Sequence, residues 1–336
     1  MLTRRRLLAS AGALLVSTAV RAQPTVPAAL AEARARAQDL PRLRSLLVHR
    51  DGRPWLEEAL HGGTLDRPVN VKSVSKVWIS ALVGQAIGRG ALPGVEAAAV
   101  PLLGRPVPSG ADPRVARITV EDLLTMRAGL QRTSGPYYGP WIASRDWVGH
   151  VLTRPFVDVP GGGMQYSTGS THLLSAILTH ATGRNTLALA REGLGAPLGV
   201  EIPPWDRDPQ GIYLGGNNMG ISPRGLLRFG ELYRQDGLWR GERVLPEGWV
   251  KASWTPRTAS IFTGDAYGYG WFMTQLAGHD VTYAWGFGGQ LLYIVPTLRL
   301  TVVMTSDPAS PSGSDGYAHA LHTQVMARIV AAAAAA

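Results

Sequence analysis

The chain has no cysteine. That excludes a thiol nucleophile, a thiolate metal site and any disulfide framework, so stability must come from packing. Lysine is nearly absent as well: of 33 basic residues, only Lys72, Lys76 and Lys251 are lysines and the rest are arginines. The basic residues are scattered, with no long run and no interleaving with aromatics, which does not support nucleic-acid binding. Several chemistries lack their motifs. There is no Gly-x-Ser-x-Gly elbow, no His-Glu-x-x-His, no phosphate-binding Gly-x-x-x-x-Gly-Lys-Ser/Thr and no dinucleotide fingerprint after a strand. Neither a metal nor a cofactor is called for. What the chain does have is 336 residues that are 45% hydrophobic, enough to bury a large core.

The scarcity of lysine makes one stretch informative, Val71-Lys72-Ser73-Val74-Ser75-Lys76-Val77-Trp78-Ile79-Ser80. Residues i and i+3 share a helix face, so Ser73 and Lys76 point the same way. A serine hydroxyl is a weak nucleophile until a neighbouring base takes its proton. Arginine cannot lose its proton in a protein, whereas lysine can once burial lowers its pKa. The apolar run from Val77 to Val83 would supply that burial. Ser73 is therefore read as the nucleophile at the start of a buried helix, and Lys76 as its base.

At the amino end, Arg4-Arg5-Arg6-Leu7-Leu8 precedes a short run of small and apolar residues from Ala9 to Val20, then Val20-Arg21-Ala22. This reads as an export signal of the twin-arginine type over residues 1–22, too short for a membrane span. Its four arginines supply four of the nine net positive charges. The expectation is a periplasmic or secreted single domain over residues 23–336 with no stable membrane span.

Helical spacing of Leu30, Ala33, Ala37 and Leu40 predicts a lead helix ended by Pro41. Ser45–His49 and Arg53–Glu57 flank Arg50-Asp51-Gly52 as a hairpin. Residues 73 to about 260 read as helices: Val77–Gly88, Thr119–Met126, Trp147–Leu152, Ser170–Thr182, Pro223–Arg234 and Pro246–Ser253. The long connections Pro101–Pro113, Gly129–Pro140 and Glu201–Gly216 lie between them. Loops of that length often shape a binding site. Strands return at Tyr267–Met273, Val281–Trp285, Leu291–Val295 and Leu300–Met304, and a helix over Asp315–Val330 closes the chain. The fold class is α/β in the α+β sense. One antiparallel sheet comes from both chain ends (about 40–70 and 265–332), flanked by terminal helices, with a helical lobe (about 73–260) inserted.

Four stretches, Ser73-Val74-Ser75-Lys76, Ile118–Leu130, Pro160–Gly169 with Tyr166-Ser167-Thr168, and Trp285-Gly286-Phe287-Gly288-Gly289-Gln290, occur in an order that resembles the serine β-lactamase and penicillin-binding-protein superfamily. The likeness is to its class C-like branch of esterases and 6-aminohexanoate-dimer hydrolases. The resemblance implies a β-lactamase/transpeptidase-like fold, acylation of Ser73, Lys76 as its partner, and Tyr166 as the group that moves the proton to the leaving group. It also implies oxyanion and substrate contacts from Thr168, Trp285, Gly286, Gly288, Gly289 and Gln290. One oxyanion N–H would come from Ser73 and one from Gly288–Gln290, since such donors must be approached closely. Tyr137 and Tyr138, in a Gly/Pro loop, are candidate cleft residues.

Two departures bear on substrate. The family's Tyr-x-Asn reads Tyr166-Ser167-Thr168, replacing a carboxamide by a hydroxyl, and the Lys-Thr-Gly strand motif is missing, which removes the obvious partner of a β-lactam carboxylate. Both point to an ester or amide small molecule, with neutral aryl esters ahead of antibiotics. The alternatives are a β-lactamase or D-amino-acid peptidase, and a non-catalytic penicillin-binding-like module. His319 and His322, at i and i+3, read as a solvated helix face rather than metal ligands. Oligomeric state and the register of the Trp285–Gln290 motif are left open by the sequence.

Overall fold

The computed structural model describes residues 27–310 and 316–336. The export segment expected over residues 1–22 and the expected helix start at Asp315 lie outside them. The lead helix forms as α1 (Ala31–Gln38). The hairpin follows as β1 (Leu43–Arg50) and β2 (Arg53–Ala59), with Asp51 and Gly52 at positive φ in the turn, as an Asp-Gly hairpin requires. The chain then enters α2 (Ser75–Gly88). Among the later helices are α3 (Val120–Leu124), capped by a reciprocal Thr119–Asp122 box, α4 (Tyr138–Ile142), α5 (Trp147–Leu152), α6 (Thr168–Thr182) and α7 (Pro223–Arg234), capped by Ser222.

Six further strands complete the sheet: β3 (Thr258–Ala259), β4 (Ala266–Tyr267), β5 (Phe272–Leu276), β6 (His279–Gly286), β7 (Gln290–Val295) and β8 (Leu300–Ser306). The order across the eight-stranded sheet is β2-β1-β8-β7-β6-β5-β4-β3, all antiparallel, so the two chain ends meet at β1 and β8. The apolar run Leu291-Leu292-Tyr293-Ile294-Val295 does not alternate with polar residues because both faces of β7 are covered. Leu291, Tyr293 and Val295 pack with α1 and the carboxyl-terminal helical residues Leu321, Val325 and Ile329, whereas Leu292 and Ile294 pack with α2, α6 and α7.

Three expectations are corrected. Tyr267–Met273 is not one strand: the Gly268 N–H donates to the Trp271 carbonyl at 2.9 Å, closing a tight turn that separates β4 from β5. The helix expected from Pro246 starts at Trp249, after a left-handed Gly248. His322 is not solvated. Its Nδ1 lies 3.1 Å from the Tyr293 hydroxyl, its ring packs edge-on against Tyr283 and Tyr293, and burial lowers its pKa to about 4. His319 remains exposed.

Helix α2 is buried on every side from Ser75 to Ala86, which fits its unbroken apolar sequence. Trp78 stacks on Phe229 of α7 at 4.3 Å between ring centroids. At Gly84 the helix meets Trp249 so closely that a Cβ would lie 2.5 Å from the indole ring. Replacing a helical glycine by alanine ordinarily gains up to ~1 kcal/mol. Here Gly84→Ala is expected instead to lose about 1–3 kcal/mol by overpacking, read as a lower urea midpoint. An unchanged or higher midpoint would show that Trp249 does not hold α2 in place.

Candidate active site

The position of Ser73 is set before α2 begins. Val69–Asn70 pairs with Gly220–Ile221, and the Val71 N–H donates to the Met219 carbonyl at 3.0 Å. The chain then makes a 3-10 turn, Lys72–Val74, so Ser73 sits in this lead-in and not in the first α-helical turn. Lys72 has φ 50°, the left-handed region that a residue with a Cβ adopts at a cost. Its N–H donates to Asn70 Oδ1 at 2.9 Å, and its carbonyl accepts from Ser75 Oγ at 2.6 Å. Ser75 Oγ in turn accepts from the Met219 N–H at 3.1 Å. The buried second serine of the tetrad therefore holds the backbone of the first.

Lys76 is 2% exposed. Its Nζ lies 3.0 Å from Ser73 Oγ, 3.2 Å from Thr168 Oγ1 and 2.8 Å from the Gly216 carbonyl. Three acceptors use all three N–H bonds of an ammonium, but there is no carboxylate among them to stabilise the charge. Burial accordingly lowers the pKa from 10.5 to about 7. On losing a proton the amine keeps two N–H bonds and gains a lone pair. The Gly216 carbonyl can only accept, so it retains an N–H, while Ser73, which can donate, is free to face the lone pair. A side chain at Gly216 would stand 2.7 Å from Lys76 Cγ, so glycine is what allows that carbonyl to approach.

If Lys76 acts as the base, kcat/KM should rise tenfold per pH unit up to pH ~7 and level off above it. A profile flat from pH 5 to 9 would remove Lys76 from that role. Stability should change over a higher window. The unfolded lysine holds its proton up to about 10.5, so the unfolded chain binds more protons than the folded one between about 7 and 10.5. Folding is therefore favoured progressively as pH rises through that range.

Tyr166 is buried, with Lys76 Nζ 5.0 Å from its ring centroid. Burial pushes its pKa up to about 12, and the hydrogen bond with Ser73 offsets part of that rise. At neutral pH it is a phenol, able to give a proton and take one back. Thr168, at the first residue of α6, is also held by the 129–140 loop: Ser134 Oγ accepts its N–H at 2.9 Å and lies 3.1 Å from its Oγ1. Thr168 Oγ1 is thus shared between the Lys76 amine and the Ser134 hydroxyl.

These groups open into a cavity of ≈ 520 Å³ whose walls include Tyr138, Tyr166, Phe262, Trp285 and Phe287. The Trp285–Gln290 register can be read directly. Trp285 and Phe287 line the cavity, while Gly286 between them backs onto the turn that carries Ser73, where a Cβ would stand 2.5 Å from the Val71 carbonyl oxygen and 3.2 Å from Lys72 Cβ. Gly288 abuts Asp307 and Pro308, and Gly289 abuts Tyr317 and Leu321. Gln290 is buried, donating to the Ser306 carbonyl at 2.9 Å and accepting from the Ser306 N–H at 3.2 Å. These three shape the β6–β7 hairpin and do not line the cavity. The two loop tyrosines also separate. Tyr138 lines the cavity and accepts from Asn217 Nδ2 at 3.0 Å, whereas Tyr137 faces outward with Gln131 and Arg154.

Sequence reasoning missed Lys72, Ser134, Gly216, Asn217 and Phe262. Ser134 and Gly216 do fall in two of the long connections suspected of shaping a site, but no residue pattern within those loops singles them out.

A sheet assembled from both chain ends, a helical lobe beside it, and a Ser-x-x-Lys pair with a tyrosine at their junction define one class of protein. The chain belongs to the Beta-lactamase family of serine hydrolases, matching it over residues 34–326. No curated protein matches the sequence. Similar solved structures include a Bacillus anthracis protein assigned as a 6-aminohexanoate-dimer hydrolase, 20% identical with TM-score 0.73, covering 89% of this chain and 81% of that one. EstCE1, a hydrolase with promiscuous acyltransferase activity, is 18% identical with TM-score 0.72, covering 90% and 98%. A D-stereospecific amidohydrolase from Streptomyces sp. is 16% identical with TM-score 0.66, covering 85% and 97%. Among the described residues no helix is long and apolar enough to cross a membrane.

Proposed function

We propose that this chain hydrolyses an ester or amide through an acyl-enzyme on Ser73, after export directed by residues 1–22. The observation that carries the reading is Lys76, buried without a carboxylate partner, 3.0 Å from Ser73 Oγ and with a pKa near 7. Neutral Lys76 takes the Ser73 proton as Oγ bonds to the substrate carbonyl carbon. The proton then passes by way of the Tyr166 phenol to the leaving oxygen or nitrogen as its bond to that carbon breaks. Water repeats the sequence on the acyl-enzyme and restores the Ser73 hydroxyl.

The developing oxyanion needs backbone N–H donors. Ser73 supplies one. The second is assigned to Phe287 rather than to Gly288–Gln290, because Phe287 lines the cavity directly after the glycine that abuts the nucleophile's turn. Thr168 and Ser134 orient the Lys76 amine, and Trp285 and Phe287 give an acyl or aryl group an apolar wall.

Two covalent probes test this. A fluorophosphonate should label the protein, and labelling that follows the titration of Lys76 would support the base role. Labelling by fluorescent penicillin as strongly as by the phosphonate would move the protein to the β-lactamase or peptidase reading. Labelling by neither would leave a penicillin-binding-like module without catalysis.

A further inference from the structure

We propose that the substrate carries a carboxylate and that Lys72, the residue before the nucleophile, is its anchor. This rests on the ester or amide hydrolase reading and replaces the neutral esters expected from the sequence with acidic ones. Lys72 lines the catalytic cavity, and among the described residues its ammonium has no carboxylate partner and no hydrogen bond to a side chain or carbonyl. The other walls are largely aromatic. With no acidic side chain paired to it, the counter-charge of this ammonium is left to whatever enters the cavity.

Three features bear on the residue at this position. Its backbone is held at φ 50°, where glycine or asparagine would sit with less strain, so the side chain is retained against a conformational cost. Glycine at 286 lets β6 lie close against this turn, since a Cβ there would press to 2.5 Å from the Val71 carbonyl oxygen and 3.2 Å from Lys72 Cβ. Finally, the chain meets its other needs for positive charge almost wholly with arginine, whereas this wall carries a lysine, a compact charge on a flexible stem. Lys72 reaches the edge of β6 from the helix side, so a cation stands beside a strand whose own sequence, Trp285-Gly286-Phe287, has none.

The test compares pairs of substrates that differ only in charge. One pair places the charge on the leaving group, 4-acetoxybenzoate against methyl 4-acetoxybenzoate. The other places it on the acyl group, mono-4-nitrophenyl adipate against its methyl ester. After subtraction of uncatalysed hydrolysis, the acid of at least one pair should have the higher kcat/KM by roughly 10- to 150-fold, the range of one charge-assisted bond, mainly through KM. In Lys72→Met that ratio should fall to about one, and Lys72→Arg should recover part of it. A wild-type ratio at or below one in both pairs overturns the proposal whatever the variants do. So does a ratio that survives Lys72→Met. If Lys72→Met does not fold, the ratio in Lys72→Gln decides. Failure of the wild-type enzyme to cleave any of the four esters would instead count against the acyl-enzyme reading on which this rests.

Discussion

Ser73→Ala should fold normally, take no label from a fluorophosphonate and lose at least ~10⁴-fold in kcat/KM on any ester the wild type cleaves. The folding expectation comes from the contacts around residue 73. The 3-10 turn is held by Asn70, Ser75 and Met219, and none of these bonds uses the Ser73 hydroxyl. Removing that oxygen leaves Lys76 with Thr168 and Gly216 as partners, so the site keeps its shape and loses the atom that forms the covalent bond. Mass spectrometry of the labelled wild type, with the adduct mapped to the peptide containing Ser73, completes the experiment. An adduct on any other residue, or label retained by the alanine variant, sinks the assignment.

Lys76→Arg has the second largest expected effect. It keeps a positive charge and removes the capacity to accept a proton, since a guanidinium stays protonated throughout the accessible pH range. Loss of general-base catalysis alone is worth ~10²- to 10⁴-fold. The lysine is also closely enclosed: Gly216 lies against its stem, and a planar fork cannot place one nitrogen against Ser73, Thr168 and Gly216 together. A fall of at least ~10²-fold with loss of the rise in kcat/KM up to pH ~7 is therefore expected. A variant within tenfold of wild type would mean that Lys76 provides charge alone, leaving proton transfer to Tyr166.

The sequence carried most of the fold because the strongest signals were physical ones of long range. An unbroken apolar helix after Ser73 has to be buried on all sides, and the Leu291–Val295 run has to be covered on both faces, which together require a sheet between two layers. The Ser73–Lys76 pair was legible because helix geometry fixes where i and i+3 point. The rest depended on loops. The Gly216 carbonyl has no side-chain signature, and Ser134 is one hydroxyl in a Gly/Pro-rich connection. The roles within Trp285–Gln290 depend on where β6 turns into β7, which a glycine-rich hexapeptide does not specify. Lys72 was overlooked because it reads as part of the motif's flank until the fold sets it in the cavity wall.

The meeting of the chain's two ends in one sheet has a consequence for biosynthesis. In β1, Arg50 pairs with Leu300 and Leu47 with Val303, so one edge of the early hairpin has no partner until β8 has been made. Such distant pairings close late and slowly, because the intervening loop entropy is spent before any contact compensates for it. Until then the apolar face of the first hairpin is open to other chains. The protein is therefore expected to complete its sheet only once β8 has left the ribosome. Truncations ending before β8 should accumulate as aggregates, even though every residue in contact with the Lys76 amine would already have been synthesised.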